Sequence, residues 1–207
     1  MDLTGETEVE SHPLQPFLPP NARLLMLGSF PPQRKRWSME FYYPNWQNDM
    51  WRIFGLVFFS DPGHFVVPGA RAFDRGRIID FLDDIGIALY DSAIEVRRLQ
   101  GNASDRFLDV VQPADLSSLL RHLPLCRAVA VTGQKSADVM CAITGAAMPK
   151  VGTSTGFEYM GRMMRLYRMP SSSRAYPMRL DDKAAVYAGM FDEIFGRRQW
   201  RTAPMNG

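Results

Sequence analysis

Cysteine is scarce in this chain: Cys126 and Cys141 are the two in 207 residues. Two thiols cannot build a disulfide framework, an all-cysteine zinc site or a four-cysteine iron–sulfur cluster. A reducing, intracellular compartment is the expectation. Histidine is sparse too. His12, His64 and His122 stand far apart with no metal-ligand spacing, which argues against a histidine zinc site. No run of 18 apolar residues occurs, so no membrane span is predicted. The N-terminal stretch MDLTGETEVESHPLQPFLPP is acidic and polar. It lacks the basic start and apolar middle of a signal peptide, and a cytoplasmic location is expected. Charge of one sign is also missing: 24 Lys+Arg against 22 Asp+Glu leave +2. That excess permits binding to a polyanion without demanding it.

What is present is ordinary for a globular protein, with 46% hydrophobic and 22% charged residues. The length suits one domain and a full core. Residues 1–20 read as a Pro-rich, loosely ordered arm, 21–200 as a single domain and 201–207 as a tail. The body alternates in type. Short apolar runs at Arg23–Phe30, Ile85–Asp91 and Cys126–Thr132 read as buried strands, and Phe157–Met169 as two strands turning at Gly161. Helical spacing appears within Trp46–Phe59, Arg75–Asp84, Asp115–His122, Gln134–Ile143 and Asp181–Phe195, the last with Asp181 as its N-cap. Apolar strands alternating with helices imply a three-layer αβα sandwich. Its central sheet is expected to be mostly parallel and four-stranded.

In such folds the ligand site lies at the carboxyl ends of the strands, so the loops there carry the function. The first, GSFPPQRKRWSMEFYYPNWQNDMW, holds Arg34, Lys35 and Arg36, six aromatic residues from Phe30 to Trp46, and the amides Asn45, Gln47 and Asn48. Aromatics with amides suit recognition of a planar, hydrogen-bonding ring such as a base; the basic trio suits phosphates. A packed surface loop with solvated charges accounts for the same composition. The last loop, MPSSSRAYP, offers three serines to an anion, and we expect Arg162, Arg165, Arg168, Arg174 and Arg179 to surround it. Serines also favour turns and helix caps. Asp91 ends the second strand, where a polar residue caps a turn, selects a ligand edge or orients a water. GxxxxGK[ST] and GxGxxG are absent, which disfavours nucleoside-triphosphate enzymes and dinucleotide binding.

Four segments in order, GSFPP, YYPNWQNDMW, GIALYD and MPSSSRA, resemble the motifs of the uracil-DNA glycosylase superfamily. Its hypoxanthine-DNA glycosylase branch is the nearest. The resemblance spans about Arg23 to Phe195. It implies a base-excision repair enzyme that flips a deaminated base (uracil or hypoxanthine) out of DNA and hydrolyses its N-glycosidic bond, leaving an abasic site. It places the catalytic asparagine at Asn48 and the stacking aromatic at Tyr43. Asp91 falls where some members carry a base-selecting asparagine, and Gly28, Ser29 and Phe30 line the base. Ser171, Ser172, Ser173, Arg174, Tyr176, Arg34 and Lys35 meet DNA, with Arg174 or Tyr176 filling the vacated stack. No metal and no cofactor is implied, and the protein is expected to act as a monomer on DNA, away from membranes. Two departures stand out. Phe30 occupies a position where many members carry a water-positioning Asp or Asn, and Met169 one where others carry His or Asn. They motivate a catalytically silent DNA-binding module of the same fold as the rival reading. A small-molecule nucleobase or nucleoside enzyme is the other.

Overall fold

The apolar runs at Leu24–Gly28 (β2), Ile87–Asp91 (β3) and Ala128–Thr132 (β6) are buried at every residue, as strands covered on both faces must be. They belong to a computed structural model that describes residues 8–99 and 107–196. With Thr153–Tyr159 (β7) and Arg162–Met169 (β8) they form a five-stranded sheet in the order β3-β2-β6-β8-β7. β2, β3, β6 and β8 run parallel, and β7 returns antiparallel along the edge. The sheet therefore has five strands, not the expected four. Both strands expected within Phe157–Met169 join the sheet. Their two-residue connection, Met160-Gly161, has both φ values positive (51° and 69°), a turn whose twist matches that of its strands.

Helices cover this sheet, giving the three-layer αβα architecture. They are Met50–Phe59 (α1), Arg75–Ile85 (α2), Leu116–Arg121 (α3), Gln134–Thr144 (α4) and Leu180–Phe195 (α5). Asp74 and Asp115 cap α2 and α3 by accepting from the backbone N–H of Arg77 and Ser118. Asp181 does not cap α5. Arg179 takes that position, and Asp181 and Asp182 lie in the first turn, where negative charge favours the helix dipole.

A second sheet was not foreseen. Val9–Ser11 (β1), Ala93–Arg98 (β4) and Leu108–Pro113 (β5) form an antiparallel three-stranded sheet in the order β1-β4-β5. Residues 91–98 are thus mostly strand rather than loop. The alternation Ile94-Glu95-Val96-Arg97 was the available signal. The Pro-rich arm is fastened rather than loose along its described part. After β1, His12 N–H donates to Ile94 O, and Phe17 exchanges both backbone bonds with Leu89. Leu14, Phe17 and Leu18 pack on the main core.

Candidate functional site

Sheet register brings the predicted loops together. Gly28 at the end of β2 stands beside Asp91 at the end of β3, and Thr132 at the end of β6 stands beside Met169 at the end of β8. The carboxyl ends of all four parallel strands meet at one rim.

Gly28 and Asp91 are in closer contact than any side chain would permit. A Cβ on Gly28 would lie 2.3 Å from Asp91 Oδ1 and 3.6 Å from the Tyr43 hydroxyl. Glycine is required here because Asp91 Oδ1 takes the space a Cβ would need. Tyr43 reaches the same spot through an unusual backbone conformation, with φ at 49°, a left-handed value that is strained for an aromatic residue. Its hydroxyl is hydrogen-bonded to that of Thr132 at 3.1 Å, and its ring meets Trp51 edge-on. The other oxygen of Asp91, Oδ2, accepts from His12 Nε2 at 2.9 Å. The two side chains are 9% and 2% exposed. An ionised carboxylate only accepts, so Nε2 carries the proton. Nδ1 lies against the backbone of Leu14. The imidazole is boxed by Phe30, Tyr90 and Tyr42. Burial, followed by the Asp91 carboxylate, pushes the Tyr42 and Tyr90 hydroxyls up. Both phenols therefore stay neutral beside it.

On the other side of the rim, the start of α1 is stitched to the serine loop. Asn48 and Ser173 form an antiparallel bridge, and Asp49 N–H donates to Ser172 O at 2.9 Å. The Asn48 Oδ1 accepts from Met50 N–H at 2.9 Å, an Asx turn that starts the helix. The carboxamide nitrogen is the group left to address a ligand. Beneath this seam Lys183, wholly buried, donates to Asp49 Oδ2 at 3.1 Å and to Ser173 O at 2.8 Å. Arg174 Nε donates to Asp49 Oδ1. Ser171 and Ser173 hydroxyl oxygens accept from the N–H groups of Ser173 and Ala175, which leaves their protons for an outside acceptor. Tyr187 O–H donates to Pro170 O and anchors the loop to α5.

The remaining predicted residues are spread around this rim. Ser29 is buried, with its carbonyl accepting from Ala93 N–H. Phe30 is buried in a small cluster with Ala93, Val96 and Leu108, so its ring supports the second sheet. Met169 is in the main core. Arg34 and Lys35 sit on a short 3-10 turn with no buried residue. Arg34 pairs with Glu40 and lies over Trp37. Tyr176 is half-buried, and its N–H donates to Ser173 O.

The five arginines do not all surround the serine loop. Arg162 begins β8, at the opposite end of the strand from the loop, and donates to the carbonyls of Leu120 and Leu123. Arg165, mid-strand, bonds Ser154. Seven residue steps of strand carry the chain from Arg162 to Met169, about 23 Å. Spacing in sequence had hidden that extension. His12, Thr132, Asp49 and Lys183 were missed. Each acts through a partner far along the chain, and no local pattern marks such a pair. Among the described residues, no group of three or more His, Cys, Asp or Glu is placed to hold a metal ion, and no helix is long and apolar enough to cross a membrane.

No family model matches the chain, and no curated protein matches it in sequence. The fold is similar to the solution NMR structure of "a putative Uracil DNA glycosylase from Methanosarcina acetivorans". The TM-score is 0.63 at 21% identity, over 90% of this chain and 99% of that one. The likeness is one of fold.

Proposed function

We propose that the protein is a monofunctional DNA glycosylase that removes a deaminated base, uracil or hypoxanthine, by hydrolysis. The observation that carries this reading is the backbone seam between Asn48 and Ser173, beside the Gly28–Asp91–Tyr43 contact. The serine loop, a carboxamide and the Tyr43 ring thus share one rim. The fold likeness to the Methanosarcina acetivorans protein supports it.

A base inside a duplex is out of reach. Flipping it costs a few kcal/mol, less at a mispair. Stacking on Tyr43 returns about 1–3 kcal/mol. The Ser171 and Ser173 hydroxyls grip the phosphates that flank the flipped sugar. Arg174 or Tyr176 fills the gap left in the stack. Arg34 and Lys35, solvated on their turn, add to the electrostatic attraction for the backbone. Asp91, flanked by Gly28 and Ser29, meets the base edge. Asn48, its oxygen held by the helix start, offers its N–H groups to orient water or a base carbonyl. An amide is too weak a base to ionise water, so its contribution is orientation. No lysine attack is invoked, and the product is an abasic site in an intact strand.

Asn48 has two roles that one experiment separates. Asn48→Ser keeps an oxygen that can start α1 and loses the carboxamide; Asn48→Ala loses both. In single-turnover base release, both variants are expected to fall about a hundredfold or more. Only Asn48→Ala should lose measurable stability. Full activity in Asn48→Ser would remove Asn48 from the reaction.

A further inference from the structure

We infer that His12, carried by the N-terminal arm, is a positioning residue that sets how Asp91 reads the base. The inference rests on the glycosylase reading of the rim and names a determinant of its specificity.

The geometry is that of a held carboxylate. Its Oδ2 is occupied by His12 Nε2 at 2.9 Å, while Oδ1 lies over Gly28 on the side of the Tyr43 hydroxyl. His12 is itself fixed. Its backbone N–H is bonded to Ile94 O, its Nδ1 rests on Leu14, and its ring is packed against Phe30 and Tyr90 at 5.3 and 4.8 Å between centroids. A carboxylate tied at one oxygen cannot rotate to present the other elsewhere. Oδ1 becomes a fixed acceptor.

A fixed acceptor selects for a ring N–H. Uracil at N3 and hypoxanthine at N1 carry a proton at the edge that pairs in a duplex. Cytosine at N3 and adenine at N1 have a bare lone pair there, which a carboxylate repels. Deamination is the change that converts the second kind of edge into the first. An imidazole–carboxylate pair at this position therefore distinguishes the damaged base from its parent by hydrogen-bond polarity. The arm thereby becomes part of the site.

The test uses the full chain with two substitutions of opposite kind. His12→Gln keeps a side-chain donor and gives up the aromatic ring. His12→Phe keeps the ring packing and gives up the donor. Two quantities are read. One is single-turnover base release. The other is the preference for a duplex carrying non-cleavable 2′-fluoro-deoxyuridine over the same duplex carrying deoxycytidine. We expect His12→Phe to lose about tenfold or more in both, as for a lost hydrogen bond to a charged group, with affinity for undamaged duplex unchanged. His12→Gln should recover most of the loss. The reverse order, His12→Phe active and His12→Gln impaired, would show a packing role and overturn the inference. So would wild-type behaviour in His12→Phe. If the wild type releases no base yet prefers the fluorouridine duplex and His12→Phe does not, the glycosylase reading fails while the role of His12 stands. A wild type with neither release nor preference overturns both.

Discussion

At the scale of single residues, the site is organised by buried charge. Lys183 and Asp49 are both withdrawn from water, and each compensates the other. Arg174 shares the same carboxylate from the half-exposed side of the loop. Desolvating two ions is costly, and such a pair contributes little net stability over an apolar replacement. Removing Lys183, however, leaves Asp49 buried with only the half-exposed Arg174 to compensate it, and takes a donor from Ser173 O. Lys183→Met is therefore expected to lower the free energy of unfolding by about 3 kcal/mol. Arg174→Ala, at a screened and half-exposed position, should cost less than about 1 kcal/mol. Urea unfolding of the two variants checks this. Equal costs would mean that the pair does not fasten the seam. The same residue scale explains what sequence reading missed. Lys183 stands on the helix stripe with nothing local to mark it, and its partner lies 134 positions away.

At the scale of elements, tyrosine hydroxyls tie helices, loops and arm to the sheet and to one another. Tyr167 on β8 donates to Glu193 on α5 at 2.9 Å. Tyr187 on α5 holds the serine loop through Pro170 O, and Tyr42 holds the arm through Gln15 O. Burial pushes all three phenols up, and Tyr167, with Glu193 as its second cause, is pushed up to about 12. Folded-state values above the unfolded value of 10.0 mean that the folded state holds these protons longer. Stability from Tyr167 is thus fully present below about pH 10 and is lost as pH rises through 12. Buried Cys126, pushed up from 9.0 to about 11, acts in the same direction from a lower starting point. The urea midpoint should be level near neutral pH and fall steeply above about pH 10, with a shallower fall in Tyr167→Phe. A midpoint that holds to about pH 11.5 would contradict this account. Strand and helix identities were legible because a central sheet imposes long buried runs, and because α1, α2 and α5 keep a helical period. The second sheet was legible only in the short alternation of β4. β1 has three residues, too few to show a period, and its partner β4 follows directly after Asp91, where a loop was the simpler reading.

At the scale of the whole molecule, a parallel sheet with its carboxyl ends at one rim gathers segments that are separate in sequence. Gly28, Tyr43, Asn48, Asp91 and Ser173 were each legible as candidates from loop composition and motif order. Their contacts were not, because they depend on register and on the arm crossing the rim. The folding of Phe30 and Met169 into packed clusters leaves Asn48 and Asp91 as the polar groups on which the chemistry is proposed to rest. The most direct measurement incubates the protein with labelled DNA duplexes carrying one uracil, hypoxanthine or xanthine, followed by alkali. Strand breaks that appear only after alkali, on uracil or hypoxanthine, are the predicted result. Duplex binding with no breaks on any of the three would contradict a glycosylase and leave a DNA-binding module of the same fold.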